Sequence, residues 1–479
     1  MLSCGSITFY TLARMITRLE IDGFKTFRNF ELEFAPLTVV AGTNASGKSN
    51  LFDALHLLSR LAETDIRTAF TEQRGEAREL FTQFQGGRTA NEMSFSVEML
   101  VDRKVRDNWG GEAILKYTRL KYIVKLIRTT DERGLDHISV LEERLENLKH
   151  QDDEWVKTHL PARQLEYWRP KVTAGRRTKP YIYTEDTDNG VATIKLPQDG
   201  RAGGKETPAN VVSQTVLSGV NSVDFPHVFA AKQEMLQWRF LQLSPEALRI
   251  PSPYLAPNQI GENGANLAAA LHRIQQMDEN SYRYISRELN RLLPHLTEVS
   301  VFDDKAGQQF VTIVKGNDGR LFSSRVLSEG TLRLLTLCTL LHDPMHKGLI
   351  CFEEPENGVH PSRLKEMVAL LRGLSIDFNE KEDELRQMIV NTHSPVLLGE
   401  MIRFHDDQNV IVWFSKLVSR LDTYGNSVSK ERIHVTRMIR VHTDAQLSML
   451  PPENRVALQE AKKYLEVLPG SIELLSTYE

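Results

Sequence analysis

From residue 16 onward, apolar and polar positions alternate in short runs. "ITRLEID" (16–22), "FRNFELEF" (27–34) and "LTVVAG" (37–42) predict three strands, separated by "GFKTF" and by Ala35-Pro36. Far downstream, the apolar runs Leu349 to Phe352 and Met388 to Val390 predict two more strands, the first of them buried. Between the two regions, "RKVRDNWGGEAILKYTRLKYIVKLIR" (103–128) reads as strands with outward basic residues. "HISVLEERLENLKHQDDEWVKTHL" (137–160) reads as an amphipathic helix with many i,i+4 charge pairs. "LPQDGRAGGKETPAN" (196–210) has loop composition. After residue 409, "NVIVWFSKLV" and "RIHVTRMIRV" flank a polar turn around Tyr424-Gly425-Asn426 and predict a hairpin added to the sheet. "PPENRVALQEAKKYLEVL" then runs with helical period. No internal repeat is apparent.

The third strand runs into Gly42-Thr43-Asn44-Ala45-Ser46-Gly47-Lys48-Ser49, followed by Asn50, which matches G-x-x-x-x-G-K-[ST] in the strand–loop–helix setting that motif needs. Glycines and small residues let successive N–H groups curl round phosphate oxygens, and the helix starting near Lys48 points its positive end at them. Lys48 then reaches the β- and γ-phosphates, and the Ser49 hydroxyl is a ligand for Mg²⁺. A P-loop alone does not separate a kinase, a GTPase, a helicase and an ABC-type ATPase.

Three downstream segments make that separation. The strand Leu349 to Phe352 ends in Glu353 and Glu354, the pattern in which one acid holds Mg²⁺ and the next polarises the attacking water. Ser328-Glu329-Gly330 sits immediately ahead of a long apolar-periodic helix, presenting a hydroxyl and free N–H groups at its start. His393, in Asn391-Thr392-His393-Ser394-Pro395, follows a strand end, where an imidazole can touch a γ-phosphate or its water.

Composition bounds the partners. The 479 residues suffice for two or three domains, and a net charge of −4 with a pI near 6.4 excludes a globally basic nucleic-acid binder. A local surface for DNA or a partner protein remains. Arg103, Lys104, Arg106, Lys116, Arg119, Lys121, Lys125 and Arg128 form one basic region. A second interleaves Arg169, Lys171, Arg176, Arg177 and Lys179 with Tyr167, Trp168, Tyr181 and Tyr183. A solvated charged face with core aromatics is the other reading of both. Cys4, Cys338 and Cys351 lack metal-ligand spacing and read as reduced thiols of a cytoplasmic protein. No run approaches the ~20 apolar residues of a membrane span, and residues 1–14 lack the parts of a secretory signal. Met15 reads as an alternative start.

Taken together, "LEIDGFKTFRNFELEF", "VVAGTNASGKSNLFDAL", "LSEGTLRLL", "FEEPENGVHP" and "NTHSPVLL" resemble the ABC-type ATPases of the RecF/SMC-like, AAA_21 group, which includes the ATP-binding parts of OLD-family and several anti-phage defence proteins. The resemblance implies an α/β P-loop fold of mixed sheet. It also implies ATP and Mg²⁺ as ligands, Lys48 and Ser49 as phosphate and metal contacts, and Glu353 near the metal. Glu354 becomes the catalytic carboxylate, His393 the switch histidine, and Ser328 with Gly330 a signature that serves ATP held by a second subunit. Two departures stand out: Glu353 replaces the usual Asp, and the signature reads Ser-Glu-Gly-Thr. Gln83 and Gln85 are the candidates for a Q-loop.

The expected organisation is an extension (1–14), an N-terminal ATPase lobe (15–100), an inserted compact lobe (101–257), a C-terminal ATPase lobe (258–414), and a C-terminal hairpin and helix (415–479). The expected activity is ATP hydrolysis by a homodimer or higher oligomer that acts as sensor or clamp in anti-phage defence. It would control a separate effector such as a nuclease, since no nuclease motif appears in this chain. A RecF-like repair ATPase on DNA and a non-hydrolysing scaffold are the alternatives.

Overall fold

The computed structural model describes residues 15–171, 179–186, 192–198, 204–209, 212–345, 347–378, 386–404, 407–423 and 430–441. The extension 1–14, Arg176 and Arg177, the turn at 424–426 and the C-terminal helix of the sequence reading lie outside them.

Two sheets organise the molecule. The first is antiparallel, in the order Phe30–Glu33, Met15–Asp22, Glu92–Leu100, Arg119–Thr130, Asp136–Asn147. The second has six strands, in the order Arg239–Leu241, Gly348–Glu353, Arg386–Thr392, Leu37–Gly42, Val410–Thr423, Lys430–Arg440; all pairs are parallel except the last. Parallel strands are covered on both faces, so their side chains alternate between two cores. Val40, Cys351 and Ile389 join the core shared with the antiparallel sheet and the helix Lys48–Glu63. Val39, Ile350, Phe352, Met388 and Val390 join the core beneath the helices Leu267–Met277, Glu279–Leu292, Glu329–Leu341 and Leu364–Gly373. This burial accounts for the unbroken apolar runs in the sequence. Cys338 and Cys351 are free and buried, and no helix among the described residues is long and apolar enough to cross a membrane.

The expected hairpin is present: Val410–Thr423 and Lys430–Arg440 pair antiparallel, and the first also pairs with Leu37–Gly42. The helix expected over 137–160 is not. Residues Asp136–Asn147 form a strand paired along its length with Arg119–Thr130, and only Glu154–His159 is α-helical. Glu142 of that stretch finds its partner across the sheet instead, Lys125 at 2.5 Å, and Arg128 and Asp136 tie the same strand pair at 2.9 Å. Both strands, drawn from the stretch read as an inserted lobe, continue the sheet that begins at Met15.

A further reason for the strand is Glu143, which the pleat turns inward. Its carboxylate accepts from Tyr122 Oη at 3.1 Å and from the N–H groups of Val216 and Leu217 at 2.7 and 2.8 Å. Burial pushes this carboxyl up to about 7. The folded protein therefore holds a proton that an unfolded chain releases near 4.5. The resulting stabilisation is complete below pH ~4.5 and lost as pH rises towards ~7. Thermal melting of Glu143→Gln should accordingly show a flatter dependence across that window than the parent protein; parallel profiles would contradict the burial argument.

Candidate nucleotide site

The P-loop occupies the carboxyl end of the parallel sheet, where ligands of open α/β sheets bind. Gly47 caps the helix Lys48–Glu63 with φ 90°, and Ala45 is also left-handed at φ 59°. A Cβ on Gly47 would lie 1.9 Å from Thr436 Oγ1, and one on Gly42 would lie 2.4 Å from Ser415 O. Glycine is thus required by contact with the C-terminal hairpin as well as by phosphate access. Thr436 and Ser415 each donate a hydroxyl to Ser46 O, at 3.1 and 3.0 Å, and Asn50 reaches Thr26, whose hydroxyl meets Thr436. The hairpin is the clamp that shapes the loop, a role its sequence did not signal. Thr43, Asn44 and Ala45 form the exposed rim.

Lys48 is buried at the base of the loop, its ammonium donating to Gly42 O at 2.9 Å and Thr43 O at 2.8 Å. Burial lowers its pKa, opposed by the negative charges of Glu354, Glu356 and Glu353. A buried cation facing three carboxylates at a loop mouth is arranged to be shared with phosphate oxygens.

Glu353 ends the strand Gly348–Glu353, in register with Asn391 of the neighbouring strand. Glu354 then turns into the left-handed region at φ 47°, a conformation costly for a non-glycine residue. The turn sends the two acids in different directions. Glu354 accepts from Asn357 Nδ2 at 2.7 Å and lies 2.9 Å from His393 Nδ1. Glu353 remains at the strand end, where burial pushes its carboxyl pKa up against the opposing pull of Arg74 and Ser49. Asn391 Nδ2 lies 3.3 Å from Ser49 Oγ.

The residues present fit Mg²⁺. Glu353 Oε1 and Asn391 Oδ1, on strand ends in register, are buried without hydrogen-bond partners, and the Asn391 amide lies beside the Ser49 hydroxyl. No group of three or more His, Cys, Asp or Glu converges as a metal cage among the described residues. Mg²⁺ that arrives with ATP needs only one or two protein oxygens in addition to the phosphates.

The flank of the site was not foreseen. Asp53 lies one helical turn after Ser49 and is bracketed by Lys25 at 2.7 Å and Arg74 at 2.7 Å; Arg74 also stands 3.8 Å from Glu353. A cleft of about 270 Å³ opens here, lined among others by Arg74, Gln73, Gln242 and Glu353. Gln83 and Gln85 are exposed, with backbones tied to Thr89 and Arg432. The glutamines beside Glu353 are therefore Gln73 and Gln242. The edge-strand pairing of Arg239–Leu241 with the Glu353 strand, which is non-local, is what places Gln242 there.

Ser328 is exposed and caps its own helix, accepting from the Thr331 N–H at 3.2 Å. Gly330 packs against the turn after Glu354: a Cβ there would lie 2.5 Å from Gly358 O. Several cations of the basic stretches are paired within the protein. Lys104 pairs with Glu112, Arg119 and Arg169 with buried Asp153, Lys121 with Glu20, and Lys125 and Arg128 with the carboxylates named above. Trp168 and Tyr181 are core residues, whereas Tyr167 is exposed.

The loop and helix start at the carboxyl end of a mostly parallel sheet define a P-loop nucleotide-binding fold. Residues 229–399 match the family described as "AAA domain, putative AbiEii toxin, Type IV TA system", and residues 15–131 match the family described as "AAA ATPase domain". No curated protein matches the chain. Among solved structures, the SMC head domain from Thermotoga maritima covers 90% of this chain and 100% of its own, at 11% identity and TM-score 0.36. The Smc head domain with an extended coiled coil bound to the C-terminal domain of ScpA, from Pyrococcus furiosus, covers 91% of this chain and 98% of its own, at 12% identity and TM-score 0.42. The Smc head domain with a coiled coil and joint from Pyrococcus yayanosii covers 95% and 99%, at 12% identity and TM-score 0.41.

Proposed function

We propose that this chain binds ATP with Mg²⁺ and hydrolyses it as a dimer in which Ser328 and Gly330 of each copy complete the site of the other. The observation that carries this reading is the Asn357–Glu354–His393 arrangement at the mouth of the P-loop. Lys48 and the loop amides hold the phosphates, while Ser49 and Glu353 are the protein contacts to Mg²⁺, which when bound neutralises charge on the phosphate oxygens. Glu354, held by Asn357, orients the attacking water and accepts its proton, and His393 at 2.9 Å fixes the carboxylate and faces the γ-phosphate. Cycling between open and ATP-closed dimers suits a cytoplasmic sensor or clamp that controls a separate effector. The toxin named in the description of the matched family supports a role in anti-phage defence.

Phosphate release at saturating ATP tests the reading. Glu354→Gln keeps the shape and removes the base, so it should bind ATP and turn over at least ~100-fold more slowly. Unchanged turnover would move the base elsewhere, and no turnover by the parent protein would leave an ATP-dependent scaffold.

A further inference from the structure

Two residues beyond Glu354, the side chain of Glu356 is buried, 8% exposed. Burying a carboxylate is costly unless donors meet it, and this one has few. One oxygen accepts the hydroxyl of Thr392, and the other has no hydrogen-bond partner. A purely structural acid in this position would be expected to satisfy both oxygens.

The Thr392 hydroxyl has a second bond. While donating to Glu356 it accepts the Ser394 N–H at 3.0 Å. One hydroxyl therefore pins the chain on both sides of His393, the residue whose ring meets Glu354. The Glu354 N–H donates to Asn391 O at 2.8 Å, so the two strand ends are joined immediately beneath that contact.

The same turn touches the helix that carries the signature. Val359 N–H donates to Glu356 O at 3.0 Å, closing a turn around Gly358, which has φ 71°. A Cβ on Gly358 would lie 2.5 Å from Glu329 Cδ, and the Gly358 carbonyl is the atom that leaves Gly330 no room for one. Backbone packed this closely moves as a unit. A displacement of the Ser328–Gly330 helix start is thus passed to Glu356 and, through Thr392, to His393.

We propose that Glu356 is a positioning residue for hydrolysis. Through the Thr392 hydroxyl it sets the aim of His393 at Glu354, and through the Gly358 turn it links that aim to the start of the signature helix. The inference rests on the reading of Glu354 and His393 given above. It assigns no bond-making step to Glu356.

The test uses Thr392→Val, which keeps the side-chain volume and deletes the hydroxyl, with Thr392→Ser as the rescue and Glu356→Gln to separate charge from position. Thr392→Val is expected to lower kcat about tenfold or more, the scale of a misaimed catalytic group. Its KM for ATP should stay close to the parent value, while its melting temperature falls modestly because the buried Glu356 carboxylate loses a donor. Thr392→Ser should restore kcat, and Glu356→Gln, which keeps an acceptor oxygen, should fall between. A second readout does not need turnover. The His393 ring signal, assigned by its loss in His393→Gln and followed with ¹³C-labelled histidine, should move in Thr392→Val and return in Thr392→Ser, because in the valine variant the ring no longer rests against the Glu354 carboxylate. Unchanged kcat and an unmoved His393 ring signal would overturn the proposal. So would a joint loss of ATP affinity and thermal stability, which would make the pair a structural brace. If the parent protein releases no phosphate, the hydrolysis reading fails and the His393 ring signal alone decides the inference.

Discussion

Lys48→Ala should weaken ATP binding by about 100-fold or more while leaving the apo protein folded. Truncating one partner of a buried, hydrogen-bonded charge interaction costs about 2–5 kcal/mol, and here the loss is compounded by what remains. Glu353, Glu354 and Glu356 all act on the Lys48 ammonium. Without it, the incoming phosphates face three acids, with only Mg²⁺ and the loop amides to offset them. The apo fold should survive because the lysine's own partners are two backbone carbonyls of the loop, those of Gly42 and Thr43, the latter at its exposed rim. Titration with a fluorescent ATP analogue, alongside thermal melting, checks both halves. Near-parent affinity would remove the phosphate-binding role from this loop.

How much of this could be read from the chain depends on how local each constraint is. The P-loop was legible because its backbone curl is written in consecutive glycines and small residues, and the strand ends carrying Glu353 and His393 because two-sided burial demands unbroken apolar runs. The hairpin after residue 409 was legible as a hairpin. Its grip on the loop was not, because Thr436 and Ser46 lie 390 positions apart and nothing in a threonine announces that a distant glycine will rest against it. Gln242 was missed for the same reason: only the pairing of Arg239–Leu241 with Ile350–Phe352 brings it beside Glu353. The segment 137–147 misled because glutamates, arginine and leucines at mixed spacing satisfy a helical period. A buried acid such as Glu143, met by backbone N–H groups from residues 216 and 217, is invisible to a reading that treats every charge as outward. The carboxylates that meet several cations of the basic stretches across the sheet were equally illegible, because a count of cations carries no pairing.

The second large effect concerns what the lysine still lacks. On the proposed reading, one chain offers Lys48 and Ser49 of the P-loop with Glu353 and Glu354 of the neighbouring strand end to one side of ATP, while Ser328 is exposed and caps a helix of its own. The proposed completion of the site is the arrival of that helix start from a second copy, with N–H donors and a hydroxyl aimed at the γ-phosphate. Ser328→Arg blocks the approach by size and removes the cap, a change worth about 1 kcal/mol, too little to unfold a chain of this size. ATP binding to the monomer should therefore stay near the parent value, while ATP-dependent dimerisation and hydrolysis are lost. Mixing Ser328→Arg with Lys48→Ala gives the decisive measurement. In a mixed dimer, the arginine of one chain faces the defective P-loop of the other, so both lesions fall in one composite site and the second site is intact. Partial recovery of phosphate release on mixing two inactive variants is the expected result, and it should grow with total protein concentration because the active species is a dimer. Recovery cannot arise if each chain hydrolyses alone. Normal hydrolysis by Ser328→Arg at every concentration would place the complete site within one chain, and Lys48 would need nothing from a partner.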